Sequence, residues 1–207
     1  MTVAIKIFVV DDDDAVRDSV QALLESVGYT VAVFPSARTF LDQYEPGETA
    51  CLIADIRMPE MDGLALQDEM IRRNISLPTI FVTGHADVPL AVRAMKAGSI
   101  DFIEKPYDES TLLSGVERAA AMSEHRASAD ADRRVASERI AALTARELDV
   151  MKQMIAGRPN KIIAFKLDIS PRTVEVHRAR IMEKIQVRSL SELVRQALAA
   201  GIEPSSD

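Results

Sequence analysis

At 207 residues, with apolar residues at 47% and charged residues at 28%, the chain has material for two cores and is far from a disordered composition. One cysteine and three scattered histidines offer neither an internal disulfide nor a zinc site of ordinary spacing, and no run of eighteen apolar residues occurs. The formal charge of -7 is uneven: residues 1–126 carry 11 Lys and Arg against 21 Asp and Glu, whereas residues 144–207 carry 11 against 8, an acidic part before a mildly basic one.

The start, Met1-Thr2-Val3-Ala4-Ile5-Lys6, has no basic residue followed by a long apolar stretch, so a cytoplasmic protein, neither exported nor membrane-spanning, is expected. Ile5 to Val10 is a short β-branched run that stops at four aspartates, Asp11 to Asp14, as a buried parallel strand does at its carboxyl end. Val16, Val20, Leu23, Leu24 and Val27 then recur at helical spacing, and Gly28 supplies the stop. Tyr29–Phe34, Ala50–Ala54, Thr79–Val82 and Ile100–Ile103 read as further strands; Ser36–Tyr44, Leu64–Arg73, Pro89–Ala97 and the stretch after Asp108 read as helices. Cys51 lies inside one apolar run and reads as a small core residue.

Five strands alternating with five helices predict an α/β doubly wound, five-stranded parallel sheet with helices on both faces, over residues 1–122. The Ala-, Asp-, Arg- and Ser-rich residues 123–140 contain no strong breaker and predict a helical or partly ordered linker. Residues 141–207 show only helical patterns, broken at Gly157-Arg158-Pro159, Asp168-Ile169-Ser170 and Val187-Arg188-Ser189, and predict a small all-α four-helix domain.

In a doubly wound sheet the ends of strands one and three meet at the switch point where ligands bind. Asp11, Asp12 and Asp55 stand at those ends. Three carboxylates converging without a basic partner repel one another, which predicts a hard divalent cation, Mg2+, among them and Asp55 as a nucleophile able to form an acyl phosphate. Asp13 and Asp14 read as a solvated extension of the acidic run, and His85 as a loop residue. Thr83 ends strand four, where its hydroxyl can donate to a phosphoryl oxygen. Lys105 follows strand five, where its ammonium can pair with phosphate, and Pro106 after it invites a cis bond that turns the lysine inward.

Asp11-Asp12, Asp55 within Asp-Ile-Arg-Met-Pro-Glu-Met-Asp-Gly, Thr83-Gly84-His85 and Lys105-Pro106 together resemble the receiver domain of two-component response regulators. The resemblance implies a flavodoxin-like fold, a Thr83–Phe102 switch in which Thr83 swings towards the phosphate and the aromatic follows into the space it vacates, and the backbone carbonyl of Arg57 as a further magnesium ligand. Phe102 has no hydroxyl, so coupling through it is by packing alone. A magnesium-dependent phosphatase of similar architecture is a rival, but it needs a second carboxylate two residues after the nucleophile, and Arg57 stands there. A DNA-binding protein that uses its receiver only to dimerise is a second rival, opposed by the intact Asp55, Thr83 and Lys105.

In the second domain Thr144-Ala145-Arg146-Glu147 is a capping box, Asn160 is expected to cap Lys161–Leu167, and Ser170-Pro171 to cap and open Arg172–Ile185. This is helix-turn-helix punctuation, with Val174, Ile181 and Ile185 on one face and a polar remainder fit for a DNA major groove. Leu143–Glu147, Ala156–Lys161, Ile169–His177 and Lys184-Ile185 resemble the LuxR-type DNA-binding domain, and joined to this receiver the chain resembles the FixJ-like regulators. The resemblance implies DNA contacts from Lys161, Arg172, Thr173, Glu175, Val176, His177 and Arg180. Ile162 departs from the acidic or polar residue frequent at that place. It further implies a transcription regulator, an activator in sign rather than an enzyme, with a sensor histidine kinase, double-stranded promoter DNA and RNA polymerase as partners. Self-catalysed phosphorylation and dephosphorylation are compatible with that role. Homodimerisation on phosphorylation is expected through Pro89–Ala97 and the face from strand five to the helix after it.

Overall fold

Alternation of side chains along five short strands decides how the first unit closes. The computed structural model describes residues 5–47, 49–85 and 87–205; the first four residues, part of the start read above for its lack of a leader, lie outside them. The elements run β1 (Lys6–Val10), α1 (Asp14–Ser26), β2 (Thr30–Phe34), α2 (Ala37–Gln43), β3 (Ala50–Asp55), α3 (Gly63–Arg72), β4 (Thr79–Thr83), α4 (Val88–Lys96), β5 (Asp101–Glu104), α5 (Glu109–Ala141), α6 (Ala145–Ile155), α7 (Asn160–Lys166), α8 (Pro171–Ile185) and α9 (Leu190–Ala199). The five strands form one wholly parallel sheet in the order β2-β1-β3-β4-β5, so the switch point falls between β1 and β3.

Because neighbouring side chains on a strand point to opposite faces, each strand feeds two cores. Phe8, Val10, Leu52, Ala54 and Phe81 join Phe40, Leu64, Leu66 and Ala94 on one side. Ile7, Val9, Cys51, Ile53, Ile80 and Val82 join Val20, Leu24, Leu112 and Val116 on the other. Phe8, Phe34, Phe40 and Tyr44 form an aromatic cluster at one edge, with centroid separations of 5.4 to 6.0 Å, within the range of favourable ring pairs. Side-chain caps fix the helix starts around the strand ends: Asp13 accepts from the amides of Ala15 and Val16, Ser36 from Thr39, Asp62 from Ala65 and Asp87 from Leu90. Asp13 is therefore a cap as well as a solvated residue.

The chain divides into two compact units, residues 1–127 and 128–207, and the division falls inside α5. Residues 123–140 are helical throughout, as part of that 33-residue helix. Ala136 and Ile140 from its last turns pack into the second core with Val150, Met151, Met154, Ile163, Val174, Ile181, Ile185 and Leu193, so the second unit is built on five helical segments. The capping box forms: Thr144 Oγ1 accepts from the Glu147 amide, and Glu147 Oε2 accepts from the Thr144 amide at 2.8 Å. Asn160 does not cap α7. Pro159 holds the extended conformation of the cap residue (ψ 155°), and Asn160 is already the first helical residue, with no side-chain cap bond. Ser170 caps α8 with Pro171 in the first turn, and Gln186 ends that helix in the left-handed region at φ +60°.

Candidate functional site

Three strand ends deliver three charged groups to one point. Asp11 follows β1, Asp55 ends β3 and Lys105 follows β5; the Lys105 ammonium lies 2.7 Å from Asp11 Oδ2 and 2.9 Å from Asp55 Oδ1. The carboxylates of Asp11 and Asp55 are buried and the lysine is about a quarter exposed. Burial pushes the Asp55 carboxyl above its usual range, more than the Lys105 hydrogen bond and charge pull it down, and Asp11 adds to the rise. Burial alone lowers the Lys105 ammonium, but hydrogen bonds and charge from Asp11 and Asp55 outweigh it and hold its proton more firmly than usual. The expectation of carboxylates without a basic partner is thus corrected: one ammonium already bridges two of them.

The backbone around this point is fixed by short local bonds. The Arg57 amide donates to Asp55 Oδ2 at 2.5 Å, the Asp13 amide to Asp11 Oδ1 at 2.9 Å, and the Lys105 amide to the Thr83 carbonyl at 2.8 Å. Lys105-Pro106 is a cis peptide. Buried Arg17, to which sequence reasoning assigned no role, donates to the Asp11 carbonyl at 2.5 Å and pairs with Asp14, anchoring the acidic loop from below. An arginine in the first turn of a helix, directly behind an acidic run, was the available signal.

Asp12 does not join the bridged pair. It is exposed and lines an open crevice with Arg57, Asp62, Asp87 and Leu90, next to the cluster. Among the described residues no three His, Cys, Asp or Glu side chains converge as a ready-made metal cage. A hard cation of the magnesium kind is commonly held by one or two carboxylates and keeps several waters. Two buried carboxylates that already focus on a single cation supply the donor chemistry.

Thr83 is fully buried, and among the described residues its hydroxyl makes two long contacts, 3.3 Å from the His85 amide and 3.4 Å from the His85 carbonyl. Strand register sets Phe81 beside Phe102 and Thr83 beside Glu104, so Thr83 and Phe102 project to the same sheet face. Phe102 is half-buried against the core that holds Phe81 and Ala94.

In the second unit α8 buries Val174, Ile181 and Ile185 and presents Arg172, Thr173, Glu175, Val176 and Arg180 to solvent. His177 is turned partly inward, and its Nδ1 is buried with no hydrogen-bond partner among the described residues. Lys161, on α7, is exposed. The far end of α8 is clamped: Arg139 donates to the Ile185 carbonyl at 3.2 Å and to Gln186 Oε1 at 2.8 Å, and Lys184 pairs with Glu147 at 2.7 Å. Sequence reasoning missed Arg139 and Lys184 because both pairings join residues about forty positions apart.

A doubly wound sheet with a charged cluster at its switch point, followed by a helix-turn-helix unit, defines a response regulator that acts on DNA. Residues 7–117 match the response regulator receiver domain, and residues 141–197 match the LuxR family of bacterial regulatory proteins. The transcriptional regulatory protein FixJ of Bradyrhizobium diazoefficiens is 46% identical over 202 residues, spanning 98% of each chain. The structure of the response regulator StyR superposes with a TM-score of 0.82 at 40% identity, covering 94% of this chain and 98% of that one. Full-length FixJ from B. japonicum superposes at 0.57 with 46% identity, covering 95% and 97%. The chain belongs to the FixJ-like family of two-component response regulators, a receiver domain joined to a LuxR-type DNA-binding domain that regulates transcription. Among the described residues no helix is long and apolar enough to cross a membrane.

Proposed function

We propose that Asp55 is the phosphoacceptor through which a sensor histidine kinase controls DNA binding by this chain. The observation that carries the reading is the Lys105 ammonium held between Asp11 Oδ2 and Asp55 Oδ1 at the carboxyl edge of the sheet. An Asp55 oxygen attacks phosphorus, the bond to the donor's imidazole nitrogen breaks, and an acyl phosphate forms. Asp55 competes for that lysine with Asp11, so a phosphoryl group with three acceptor oxygens gives Lys105 a new partner. Asp11, Asp12, Asp55 and the Arg57 carbonyl would hold magnesium; when bound, it supplies neutralisation of the charge that gathers on the phosphoryl oxygens. The same arrangement supports slow self-phosphorylation from small phosphodonors and slow self-dephosphorylation.

Thr83 follows the phosphoryl group and Phe102 repacks behind it, biasing the face formed by α4 and β5 towards homodimerisation. Paired DNA-binding units then meet two half-sites of promoter DNA. Arg172, Thr173, Val176 and Arg180 read or anchor the duplex from α8, with Lys161 on a phosphate and Glu175 and His177 at the margin of the interface. RNA polymerase is the downstream partner, and activation the sign of regulation.

Incubation with magnesium and acetyl phosphate, followed by hydroxylamine treatment, tests the acceptor. A hydroxylamine-labile phosphate on wild type, absent from Asp55→Asn, accompanied by dimerisation in sedimentation and tighter DNA binding, is expected. Labelling that persists in Asp55→Asn, or binding indifferent to phosphodonor, overturns the reading.

A further inference from the structure

The turn Gly157-Arg158-Pro159, which carries the chain from α6 into α7, is tied down from outside as well as from within. α6 ends in a Schellman motif: Gly157 lies in the left-handed region at φ +74°, its amide donates to the Met154 carbonyl at 2.9 Å, and the Arg158 amide donates to the Gln153 carbonyl at 3.2 Å. α9 ends in the same way, with Gly201 at φ +74° and the Ile202 amide on the Ala197 carbonyl at 2.9 Å. That second turn packs Ile202 against the core and sends residues 203–205 across the end of α6. There the Ser205 amide donates to the Lys152 carbonyl at 3.3 Å, and Nε2 of buried Gln153 donates to Ser205 Oγ at 3.0 Å. The Arg158 guanidinium donates to Gln153 Oε1 and, at 3.3 Å, to the Ser205 carbonyl. Gln153 therefore grips Arg158 twice, by its own carbonyl and by its side chain, and Ser205 closes the ring.

We infer that residues 203–205 are a strap that acts through Gln153 and Arg158 to position Lys161 for a DNA phosphate. The inference rests on the reading above that Lys161 meets a phosphate, and it names the positioning residues behind that contact. Lys161 stands three residues beyond Arg158. Between them Pro159 has its φ set by its own ring and holds the extended cap conformation, and Asn160 is already helical. Little freedom remains after the turn, so the direction of Arg158 sets where α7 starts and where Lys161 is carried. A side chain as buried as Gln153, at 7% exposure, would pack as well as leucine, without the cost of burying an amide. Leucine cannot hold a guanidinium and a hydroxyl in one arrangement, and that arrangement is what directs the turn. A lysine meets phosphate as a point charge, so its contribution depends on how near the helix start brings it.

The test is a double-mutant cycle on the full-length protein with magnesium and acetyl phosphate. It is read by mobility shift on a DNA fragment that wild type selects, at several salt concentrations, with urea unfolding to confirm that each variant is folded. Lys161→Ala should lower the slope of log affinity against log salt by about one. Gln153→Leu removes no charge, yet it should weaken binding about threefold, as the loss of a hydrogen-bonded support does, and move the slope towards that of Lys161→Ala. In the Lys161→Ala background Gln153→Leu should cost nothing further. Arg158→Met should follow Gln153→Leu in both backgrounds. Ser205→Ala, which leaves α6 untouched, should show a smaller loss with the same dependence on Lys161. Wild-type binding by Gln153→Leu overturns the inference. So does a loss that is equal with and without Lys161, which would make the strap a source of stability alone. A slope lowered by Arg158→Met but not by Gln153→Leu makes Arg158 a phosphate contact itself and also overturns it. A wild-type slope in Lys161→Ala overturns the phosphate reading of Lys161, whereas a lowered slope there beside a neutral Gln153→Leu overturns the strap alone, which separates the two failures.

Discussion

Lys105 and Asp55 stand 2.9 Å apart in a contact that also serves Asp11 at 2.7 Å, so one ammonium is shared by two buried carboxylates. Two negative charges around one positive leave the resting site with an excess of buried negative charge, consistent with the Asp55 carboxyl lying above its ordinary range through burial. Replacing Asp55 by Asn keeps the shape, removes one charge and leaves Lys105 paired with Asp11. Asp55→Asn should therefore unfold at a higher temperature than wild type in the absence of magnesium, by about 2 to 4 °C for a gain on the order of 1 kcal/mol. Differential scanning calorimetry reads this directly, and an unchanged or lower melting temperature would show that the ion pair contributes more than the burial costs.

Gly63 governs the same site from behind. A β-carbon there would lie 2.5 Å from the Asp55 carbonyl oxygen, 3.0 Å from Ile56 Cα and 3.1 Å from a ring carbon of Phe81. The first two are backbone atoms, which cannot step aside as a flexible side chain can. Gly63→Ala should destabilise the receiver by about 1 to 3 kcal/mol, the usual range for overpacking, and reduce phosphorylation of Asp55 by displacing the strand end that carries it. Urea unfolding followed by circular dichroism measures the first effect, and phosphate labelling the second.

The positions of Asp55, Thr83 and Lys105 were legible because short apolar strands of a parallel sheet must end where polarity begins, and this architecture gathers polar groups at those ends. What those residues do to one another was not legible. The sequence places Lys105 near an incoming phosphate; it does not say that the lysine already binds both carboxylates, nor that Asp12 faces the crevice while its neighbour is buried. Such differences depend on side-chain direction within one turn of loop. Arg17 beneath Asp11 and Arg139 against Gln186 escaped for a related reason, since long side chains reach partners that periodicity does not specify. Asn160 misled because a good capping residue followed a proline that itself takes the extended cap conformation.

Glu147 gives the second unit a measurable pH dependence. The Lys184 ammonium, then the Thr144 amide, lower its carboxyl from 4.5 to about 2. A depressed carboxylate contributes stability that is present above its unfolded value and lost as pH falls through its folded one. The stability difference between wild type and Glu147→Gln should be constant above about pH 5, shrink from about pH 4.5 downwards and vanish near pH 2. Thermal melts of the two proteins across that range, monitored by far-UV circular dichroism, test it. A difference that does not change with pH would mean that Lys184 and the cap act through packing and not through charge.

Arg139 joins the final turns of α5 to the carboxyl end of α8, the helix proposed to meet DNA. Removing its guanidinium leaves the left-handed turn at Gln186 without that support, a loss of about 1 kcal/mol for hydrogen bonds of this kind. Arg139→Ala should weaken DNA binding about fivefold with an unchanged salt dependence, because the residue holds α8 and is not itself assigned a phosphate contact. A mobility-shift titration at several salt concentrations distinguishes this from a direct contact, whose removal would flatten the salt slope.

The DNA contacts proposed for the exposed face of α8 are of two kinds that salt separates. Arg180 carries a full positive charge, and its removal should lower affinity for specific and non-specific DNA alike and reduce the slope of log affinity against log salt by about one. Val176 has no charge to give. At 45% exposure it offers only its methyl groups, which suit a thymine methyl at a base edge. Val176→Ala should leave the salt slope untouched and relax discrimination at one base pair, lowering affinity for the preferred sequence by about 1 kcal/mol while sparing non-specific binding. Measuring both variants on a selected site and on unrelated DNA, each at three salt concentrations, decides the assignment. If Val176→Ala loses affinity equally on both DNAs, α8 does not present that residue to the bases, and the reading face must be rotated towards Thr173 and His177.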